Sequence, residues 1–326
     1  MATRGARLGK EQLLEAFRRM RTIREFEDRI HVKNQAGEVP GFIHLSAGQE
    51  ASAVGICMHL DGDEHITSTH RGHGHSIAKG CDVVAMMDEI YAKRSGLCGG
   101  KGGSMHMADL SKGMIGANGI VGGGVPLAAG AALKSHVLGL DKVAVAFFGD
   151  GAYNEGATLE TMNLAKVLNL PLVFALENNG YGEATPSSYA IGGDVEERAK
   201  GFGLQTYAVD GHDFFAVHEI AGKAIREARD GKGPVLLHIS IYRYYGHFEG
   251  DAASYRPDGE ADDVREKKDC LMLFRQKAVA GGQVTDQELD EVEKEVVALL
   301  DHAIEHAVAA ASPGADDLLT DVYVSY

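Results

Sequence analysis

The sequence has few cysteines, and none of them is close to another. Cys57, Cys81, Cys98 and Cys270 lie far apart and form no C-x-x-C pair. Small secreted domains depend on dense disulfide frameworks, and redox motifs need two cysteines at close spacing. We therefore expect four reduced thiols in a cytoplasmic protein.

Long apolar runs and an excess of basic charge are also lacking. No apolar stretch approaches the roughly 18 residues that cross a bilayer, and the start of the chain, MATRGARLGKEQLLEAF, has no apolar segment of a signal peptide. The formal net charge is −15, which disfavours nucleic acid and anionic lipid surfaces as partners. We expect no membrane and no nucleic-acid partner.

What the sequence does contain is enough apolar material for a large core. The chain has 326 residues, of which 44% are hydrophobic. A chain of this length can form one α/β domain with helical extensions or two small domains.

The middle of the chain carries the strongest pattern. The run from Val143 to Phe148 is wholly apolar and ends in Gly149-Asp150-Gly151, helical spacing follows over residues 154–168, and a second apolar run, Leu172 to Leu176, leads to Asn178-Asn179. Wholly apolar runs are typical of strands buried on both faces of a parallel sheet. A right-handed crossover would place both strand ends at the same sheet edge, where α/β proteins bind ligands.

Asp150 is unusual in such a turn. A glycine turn before a helix commonly binds phosphate through backbone N–H groups, and a bare carboxylate would repel that phosphate. A divalent cation resolves the conflict, because Mg²⁺ binds a few protein oxygens together with substrate phosphates. Asp150, the amide oxygen of Asn179 and a nearby backbone carbonyl would suit Mg²⁺.

Two other interpretations of this turn stay open. A nicotinamide dinucleotide fold would require G-x-G-x-x-G, but Asn154 occupies the third glycine position. Asp150 could also serve only as the N-cap of the following helix.

Two further motifs have alternatives as well. His70, His73 and His75 suggest zinc, but the stretch is predicted as a loop, without helical i, i+4 pairing or a nearby cysteine or carboxylate. The segment LCGGKGGSMHM lacks the G-K-[ST] ending of a P-loop, since Gly102 follows Lys101. Its glycines predict a segment too flexible to pack unless a ligand or partner approaches its backbone.

Flanking patterns complete the expected architecture. Apolar periodicity predicts helices over 10–34, 82–94 and 214–229, and apolar runs predict strands over 205–210 and 234–241. Residues after 241 are predicted as a long surface loop, and a capping box at Thr285 and Glu288 opens a late helix. The apolar end, DDLLTDVYVSY, suggests docking.

The Gly149-Asp150-Gly151 turn, 26 intervening residues and Asn178-Asn179 together resemble the thiamine diphosphate fingerprint. From about Leu13 onward the chain resembles alpha subunits of the thiamine-dependent first component of acetoin and 2-oxo acid dehydrogenase complexes. The resemblance implies an α/β thiamine-diphosphate-binding fold, a mainly parallel sheet flanked by helices. It also implies an N-terminal helical extension (1–40), the binding domain (41–264) and a C-terminal helical region (265–326).

The resemblance further implies a site. The cofactor-binding set is His44, His70, Arg71, Gly119, Val121, Asp150, Gly151, Ala152, Asn179, Tyr181, Arg243 and His247. Asp150, Asn179 and the Tyr181 carbonyl would hold Mg²⁺, and His44 and His247 would be the catalytic proton donors.

The roles of the other members differ. Arg71 and Arg243 would meet the diphosphate, because a guanidinium forks onto phosphate oxygens. The backbone at Gly119 and Val121 would meet the aminopyrimidine ring. His70 stands where many relatives have tyrosine.

The resemblance implies a shared enzyme. The chain would be inactive alone and would join a beta subunit in an α2β2 heterotetramer, which passes an acyl unit to a lipoyl group of a partner acyltransferase. The segments YGHFEGDA and VYVSY favour acetoin as the small-molecule substrate, with pyruvate or a branched-chain 2-oxo acid as the alternative. A nicotinamide dehydrogenase and a non-catalytic regulatory subunit are rival readings from other classes.

Overall fold

The chain folds around a six-stranded parallel sheet. The computed structural model describes residues 8–323. The strands are β1 (His65–Thr67), β2 (Met114–Gly116), β3 (Ala144–Gly149), β4 (Leu172–Asn178), β5 (Tyr181–Gly182), β6 (Thr185–Pro186), β7 (Gln205–Asp210) and β8 (Val235–Ser240). Six of them form one sheet in the order β2, β1, β3, β4, β8, β7 with all neighbours parallel, while β5 and β6 form a separate antiparallel pair.

Helices cover the sheet. The α-helices are α1 (Lys10–Gln35), α2 (Glu50–Cys57), α3 (Gly72–Lys79), α4 (Val83–Ile90), α5 (Gly124–Leu138), α6 (Gly156–Val167), α7 (Ser187–Ala190), α8 (Val195–Gly201), α9 (Phe214–Arg229), α10 (Glu260–Lys268), α11 (Cys270–Ala280) and α12 (Asp286–Ala309). The expected α/β architecture is confirmed.

The two faces of the central strands contribute to two separate cores. Successive side chains of a strand point to opposite faces. Along β3, Val145 and Phe147 join the core that also contains α1, α2 and α9, whereas Ala146 and Phe148 join the core that contains α5 and α6. β4 alternates in the same way from Leu172 to Leu176, so neither strand has a polar face before the polar residues Glu177 and Asn178 at the end of β4.

The predicted strand–helix–strand unit is confirmed as β3, α6 and β4. The two strands are parallel neighbours, and Gly149 is paired with Glu177 at the carboxyl end. This register places the turn after β3 beside Asn178-Asn179 at one edge of the sheet. The predicted helices α1 and α9 and the strands β7 and β8 are confirmed within one residue at each end.

The prediction of a loop over the histidine-rich residues 65–75 is wrong. This segment contains β1 and the start of α3. His73 and His75 are buried there beside carboxylates from distant parts of the chain: Glu27 lies 2.9 Å from Nδ1 of His73, and Glu177 lies 3.1 Å from Nε2 of His75. Polar residues that look like a surface loop in the sequence are therefore internal, because their partners come from elsewhere.

Helix α4 ends earlier than predicted, and the glycine-rich loop behind it wraps a buried carboxylate. Oε2 of Glu89 accepts hydrogen bonds from the backbone N–H groups of Cys98 and Gly100, each at 2.8 Å. Oε1 accepts from Gly102 at 2.7 Å and Gly103 at 2.9 Å. Where the sequence suggested a ligand or partner at this backbone, a side chain of the same chain occupies the place.

The C-terminal helices pack against the N-terminal part of the chain, with α12 on α1 and α4. The capping box of Thr285 and Glu288 at the start of α12 is confirmed. Beyond α12 the chain docks on the glycine-rich loop, where the ammonium of Lys101 donates to the carbonyls of Asp317 and Thr320. Residues 324–326, the end of the predicted docking segment, lie outside the described residues. The three-part division stays a prediction, and α10 crosses its second boundary.

The described residues also include all four cysteines. Each is a free thiol, and Cys57, Cys81 and Cys270 are buried. Within residues 8–323, no helix combines the length and apolar character that a bilayer crossing needs.

Candidate active site

A cavity of about 300 Å³ lies at the carboxyl ends of β3 and β4. Ten of the predicted cofactor-binding residues line it: His70, Arg71, Val121, Asp150, Gly151, Ala152, Asn179, Tyr181, Arg243 and His247. They come from segments that are far apart in the sequence and meet because parallel strands end at one edge. His44 stands behind the wall, with its ring against those of His70 and His247, and Gly119 directly precedes the lining residue Ile120.

Asp150 is a buried carboxyl at the end of β3, 3% exposed. Burial raises its pKa above the ordinary value, while hydrogen bonds from backbone N–H groups and the charges of Arg243 and Arg71 oppose the rise. Because burial disfavours the charged form of Asp150, a cation bound beside it would stabilise the ionised carboxylate.

The two alternative readings of this turn do not fit the structure. Helix α6 begins at Gly156 with Glu155 at its N-cap, so Asp150 is not the cap of that helix. Asn154, at the third glycine position of a dinucleotide fingerprint, accepts a hydrogen bond from Arg198 at 2.8 Å. Its side chain is part of the protein's own packing beneath the turn.

Arg71 presents a buried guanidinium, 4% exposed, to the cavity. Nη1 donates to the carbonyl of Leu45 at 2.9 Å, and Nη2 donates to the carbonyl of His247 at 2.6 Å and to its Nδ1 at 3.0 Å. Burial and the nearby Arg243 lower the pKa of Arg71 to about 9. The group remains a cation at neutral pH, fixed in place by two carbonyl oxygens.

Arg243 is even more deeply buried, at 1% exposure. Its long, weak contacts go to the carbonyls of Tyr181 at 3.4 Å and Glu183 at 3.3 Å, and Nη2 also donates to the hydroxyl of Tyr255 at 2.5 Å. Nε has no hydrogen-bond partner among residues 8–323. A buried guanidinium with an unsatisfied N–H group that lines a cavity suits an anionic ligand.

The Asn178-Asn179 turn is held from both sides. Nδ2 of Asn178 donates to Nε2 of His238 at 3.1 Å, and Nδ1 of His238 lies 2.8 Å from Oε1 of Glu196. On the other side, Oδ1 of Asn179 accepts from the backbone of Tyr181 at 3.3 Å. The relay from Glu196 through His238 therefore positions the residue next to a proposed metal ligand.

We expect His238→Ala to weaken the binding of Mg²⁺ with thiamine diphosphate about 10-fold, the usual scale for residues that orient a metal ligand. The reason is that Asn178 loses the acceptor of its amide. Isothermal titration of the assembled enzyme measures this effect. His136→Ala, on the exposed part of α5, is the control, and equal affinities in the two variants would contradict the positioning role.

His44, His70 and His247 form a histidine cluster at the cavity. Their ring centroids lie 4.7 to 5.2 Å apart, and one nitrogen from each lies within 4.8 Å of the others. Burial, followed by the charge of Arg71, lowers the pKa of His44 to about 3 and of His247 to about 4, and lowers that of His70 further. All three imidazoles are neutral at neutral pH, and Nδ1 of His44 is buried without a partner in the described part of the chain.

This depression predicts a pH dependence of stability. The pKa of His247 is 6.5 in its ordinary state and about 4 in the folded chain, so between these values the unfolded chain binds the extra proton. Stability therefore falls as the pH drops from 6.5 towards 4. Urea midpoints near pH 7 and near pH 5 should differ less in His247→Gln than in the parent chain. His136→Gln should leave the difference unchanged, and a His247→Gln variant with the full difference would refute this assignment.

The zinc grouping of His70, His73 and His75 is wrong. Only His70 of these three belongs to the cluster. Nε2 of His73 lies 2.9 Å from the hydroxyl of Ser104, and Nδ1 of His75 lies 2.6 Å from that of Ser68. Two histidines that are close in sequence thus serve separate buried networks.

Sequence reasoning missed several residues of the cavity wall. Gln49, Ser68, Phe147 and Glu177 all line it, and all are buried. Nε2 of Gln49 has no partner among residues 8–323. The position of Glu177 immediately before Asn178-Asn179 was a usable signal, whereas Gln49 and Ser68 carry no pattern that distinguishes them.

The residues present fit a diphosphate and a divalent cation. The cavity contains two buried guanidinium groups, one with an unsatisfied N–H, and a buried carboxyl with a raised pKa. Arg71 and Arg243 would hold the anionic group, while Asp150 and Asn179 supply the hard oxygen atoms that Mg²⁺ prefers.

Comparisons with known proteins agree with this chemistry. Residues 18–316 match the family described as dehydrogenase E1 component. The chain is 58% identical to the alpha subunit of acetoin:2,6-dichlorophenolindophenol oxidoreductase from Cupriavidus necator, over 98% of this chain and 96% of the relative. It is 49% identical to the subunit of the same name from Bacillus subtilis, over 99% and 96%. A pyruvate dehydrogenase E1 component subunit alpha from Rhizobium meliloti is 37% identical, over 97% and 91%.

Proposed function

The chain belongs to the dehydrogenase E1 component family, and from this premise we propose that it is the alpha subunit of a thiamine-diphosphate-dependent acetoin dehydrogenase. The family implies thiamine diphosphate as the cofactor. The observation that carries the proposal is the cavity in which Arg71, Asp150 and Arg243 are buried together.

When bound, thiamine diphosphate supplies a nucleophilic carbon that adds to a carbonyl and stores the electron pair when the adjacent C–C bond breaks. The chain's own residues bind and orient it. Arg71 and Arg243 would hold the diphosphate, and Asp150 and Asn179 would hold Mg²⁺. The backbone carbonyl of Tyr181, which faces Arg243, completes the proposed set of metal ligands.

The histidine cluster handles protons. His44 and His247 are neutral at neutral pH. His247 lines the cavity and would accept a proton from the substrate hydroxyl or from water before it returns that proton, and His44, whose ring lies against that of His247, would exchange protons through it. Nδ1 of His44 is buried without another partner among the described residues. These steps need groups close to the reacting atoms, and the cluster adjoins the cavity.

Acetoin is the proposed substrate, and two observations support it over pyruvate. The two relatives with the higher identities, 58% and 49%, are named for acetoin, and the pyruvate dehydrogenase relative is 37% identical. The imidazoles beside the cavity are uncharged. They therefore suit acetoin, a neutral hydroxy ketone, and supply no positive charge to bind the carboxylate of pyruvate. Cleavage would yield acetaldehyde and a two-carbon acyl unit for the lipoyl group of an acyltransferase.

The proposed partner is a beta subunit in an α2β2 heterotetramer. Helices α5 and α6 pack on each other, and both expose large apolar side chains, among them Leu127, Val137 and Leu138 on α5 and Leu164 and Val167 on α6. Exposed apolar patches of this kind mark protein interfaces. We place the assembly in the cytoplasm, where the four free thiols would stay reduced.

The experiment is reduction of 2,6-dichlorophenolindophenol by this chain co-expressed with its beta subunit, with thiamine diphosphate and Mg²⁺ present. Acetoin and pyruvate are run side by side, and the chain without the beta subunit is the control. We expect turnover with acetoin only, and only in the complex. Turnover with pyruvate alone would overturn the substrate, and NAD in place of thiamine diphosphate as the stabilising ligand in a thermal shift would overturn the cofactor.

A further inference from the structure

The histidine cluster contains three imidazoles, whereas its proposed proton chemistry uses only those of His44 and His247. His44, His70 and His247 come from three separate segments, and one ring nitrogen of each lies within 4.8 Å of the others. Proton transfer needs one imidazole near each reacting atom, whereas three converging imidazoles form a ligand set.

We propose that the histidine cluster binds a transition-metal cation of the zinc type at the cavity, and that this cation inhibits the enzyme. Imidazole nitrogen is a preferred ligand of Zn²⁺ and Co²⁺, whereas Mg²⁺ prefers oxygen. Each cation would therefore bind at the site that has its preferred ligand atoms, Mg²⁺ at the oxygens of Asp150 and Asn179 and the transition metal at the nitrogens of the cluster.

The geometry needs a small closure. Zinc–nitrogen bonds of about 2.0–2.1 Å in a tetrahedron place the nitrogens about 3.4 Å apart, and the cluster spans up to 4.8 Å. Binding would require side-chain rotations that bring the nitrogens together; the rings now lie edge to face, at 70° for His44 and His70 and 86° for His44 and His247. The ring of Phe42 packs against His44, with centroids 4.7 Å apart.

The ring nitrogens would give up few hydrogen bonds to bind a metal. Nδ1 of His44 has no partner among residues 8–323. Nη2 of Arg71 donates to Nδ1 of His247 at 3.0 Å, and it also donates to the carbonyl of His247 at 2.6 Å. If Nε2 of His247 bound the metal, only the hydrogen bond from Arg71 to Nδ1 of His247 would be lost. The hydrogen bond from Arg71 to the carbonyl of His247 would remain.

The expected consequence is inhibition. Three histidines leave the fourth position of a tetrahedral cation for water, and the cation takes the lone pairs with which His44 and His247 accept protons. The inhibitory part rests on the proposed function, whereas metal binding depends only on the cluster.

Binding is tested on the complex with the beta subunit, loaded with thiamine diphosphate and Mg²⁺ and titrated with Co²⁺. Tetrahedral nitrogen ligation gives Co²⁺ a strong visible absorption. We expect one Co²⁺ per chain, and an affinity at least about 10-fold lower in His70→Gln and in His44→Gln, since each loses one of three ligands. His302→Asn is the control, because His302 and His306 form a pair on α12 away from the cavity. The absence of visible absorption in the parent complex, or its persistence in both glutamine variants, overturns the site.

Inhibition is measured separately. Zn²⁺ at one equivalent should remove most of the acetoin-dependent dye reduction, and a zinc-selective chelator that leaves Mg²⁺ bound should restore it. Full turnover with Zn²⁺ bound would overturn the inhibitory role. If no sample turns over acetoin, the proposed function fails, and the Co²⁺ absorption still decides the metal site.

Discussion

Replacing Asp150 with alanine is expected to lower both acetoin turnover and the affinity for thiamine diphosphate with Mg²⁺ by on the order of 100-fold or more. Outer residues that only orient a metal ligand already contribute 10- to 100-fold, and Asp150 is proposed as a ligand itself. Its carboxyl is buried with a raised pKa, so the bound cation and the carboxylate stabilise each other. Titration calorimetry and dye reduction by the assembled enzyme measure the two effects.

Two further variants sharpen this result. Asp150→Asn keeps an oxygen ligand without the charge and should fall between the parent and Asp150→Ala. Asp230→Ala removes an aspartate whose side chain is 62% exposed and whose ion pair with Lys232 spans 3.8 Å, so it should change nothing. Cofactor binding by Asp150→Ala with the parent affinity would show that the metal is held elsewhere.

Replacing Glu89 with alanine is expected to lower the free energy of unfolding by on the order of 4 kcal/mol, because four partly buried backbone N–H groups lose their acceptor at roughly 1 kcal/mol each. Urea unfolding followed by far-ultraviolet circular dichroism measures this loss, as the chain has no tryptophan. The backbone of the glycine-rich loop surrounds the carboxylate closely, since a Cβ built at Gly96 would lie 2.4 Å from Oε2 of Glu89.

Glu89→Gln provides the matched comparison. It retains one carbonyl oxygen for two of the four N–H groups and directs an NH₂ group at the other two, so about half of the loss or more should remain. Glu291→Ala removes an exposed carboxylate that pairs only with Lys294 among the described residues, and should stay within about 0.5 kcal/mol of the parent chain. A Glu89→Ala variant as stable as the Glu291→Ala control would refute the role of the carboxylate.

Much of the fold could be predicted because its strongest signals are local. The apolar runs of β3 and β4 and the glycine turn between them mark the unit and its functional edge without reference to any other segment. The resemblance then identified ten residues that line the cavity. The prediction of a loop over 65–75 was wrong because sequence patterns reflect only residues that are close along the chain. The partners that keep His73 and His75 buried, Glu27 and Glu177, are distant in the sequence.

The sequence by itself determined the strand–helix–strand unit, the turn that carries Asp150, and the family. The unit and the turn depend on runs and spacings within one continuous segment, residues 143–179, and the family on motifs that are each short and local. Only the tertiary structure decided which histidines meet, what the glycine-rich loop encloses, and that Arg71 and Arg243 are both buried at one cavity. Several of those contacts join residues from distant segments, as between Arg71 and His247, and burial and charge act through space rather than along the chain.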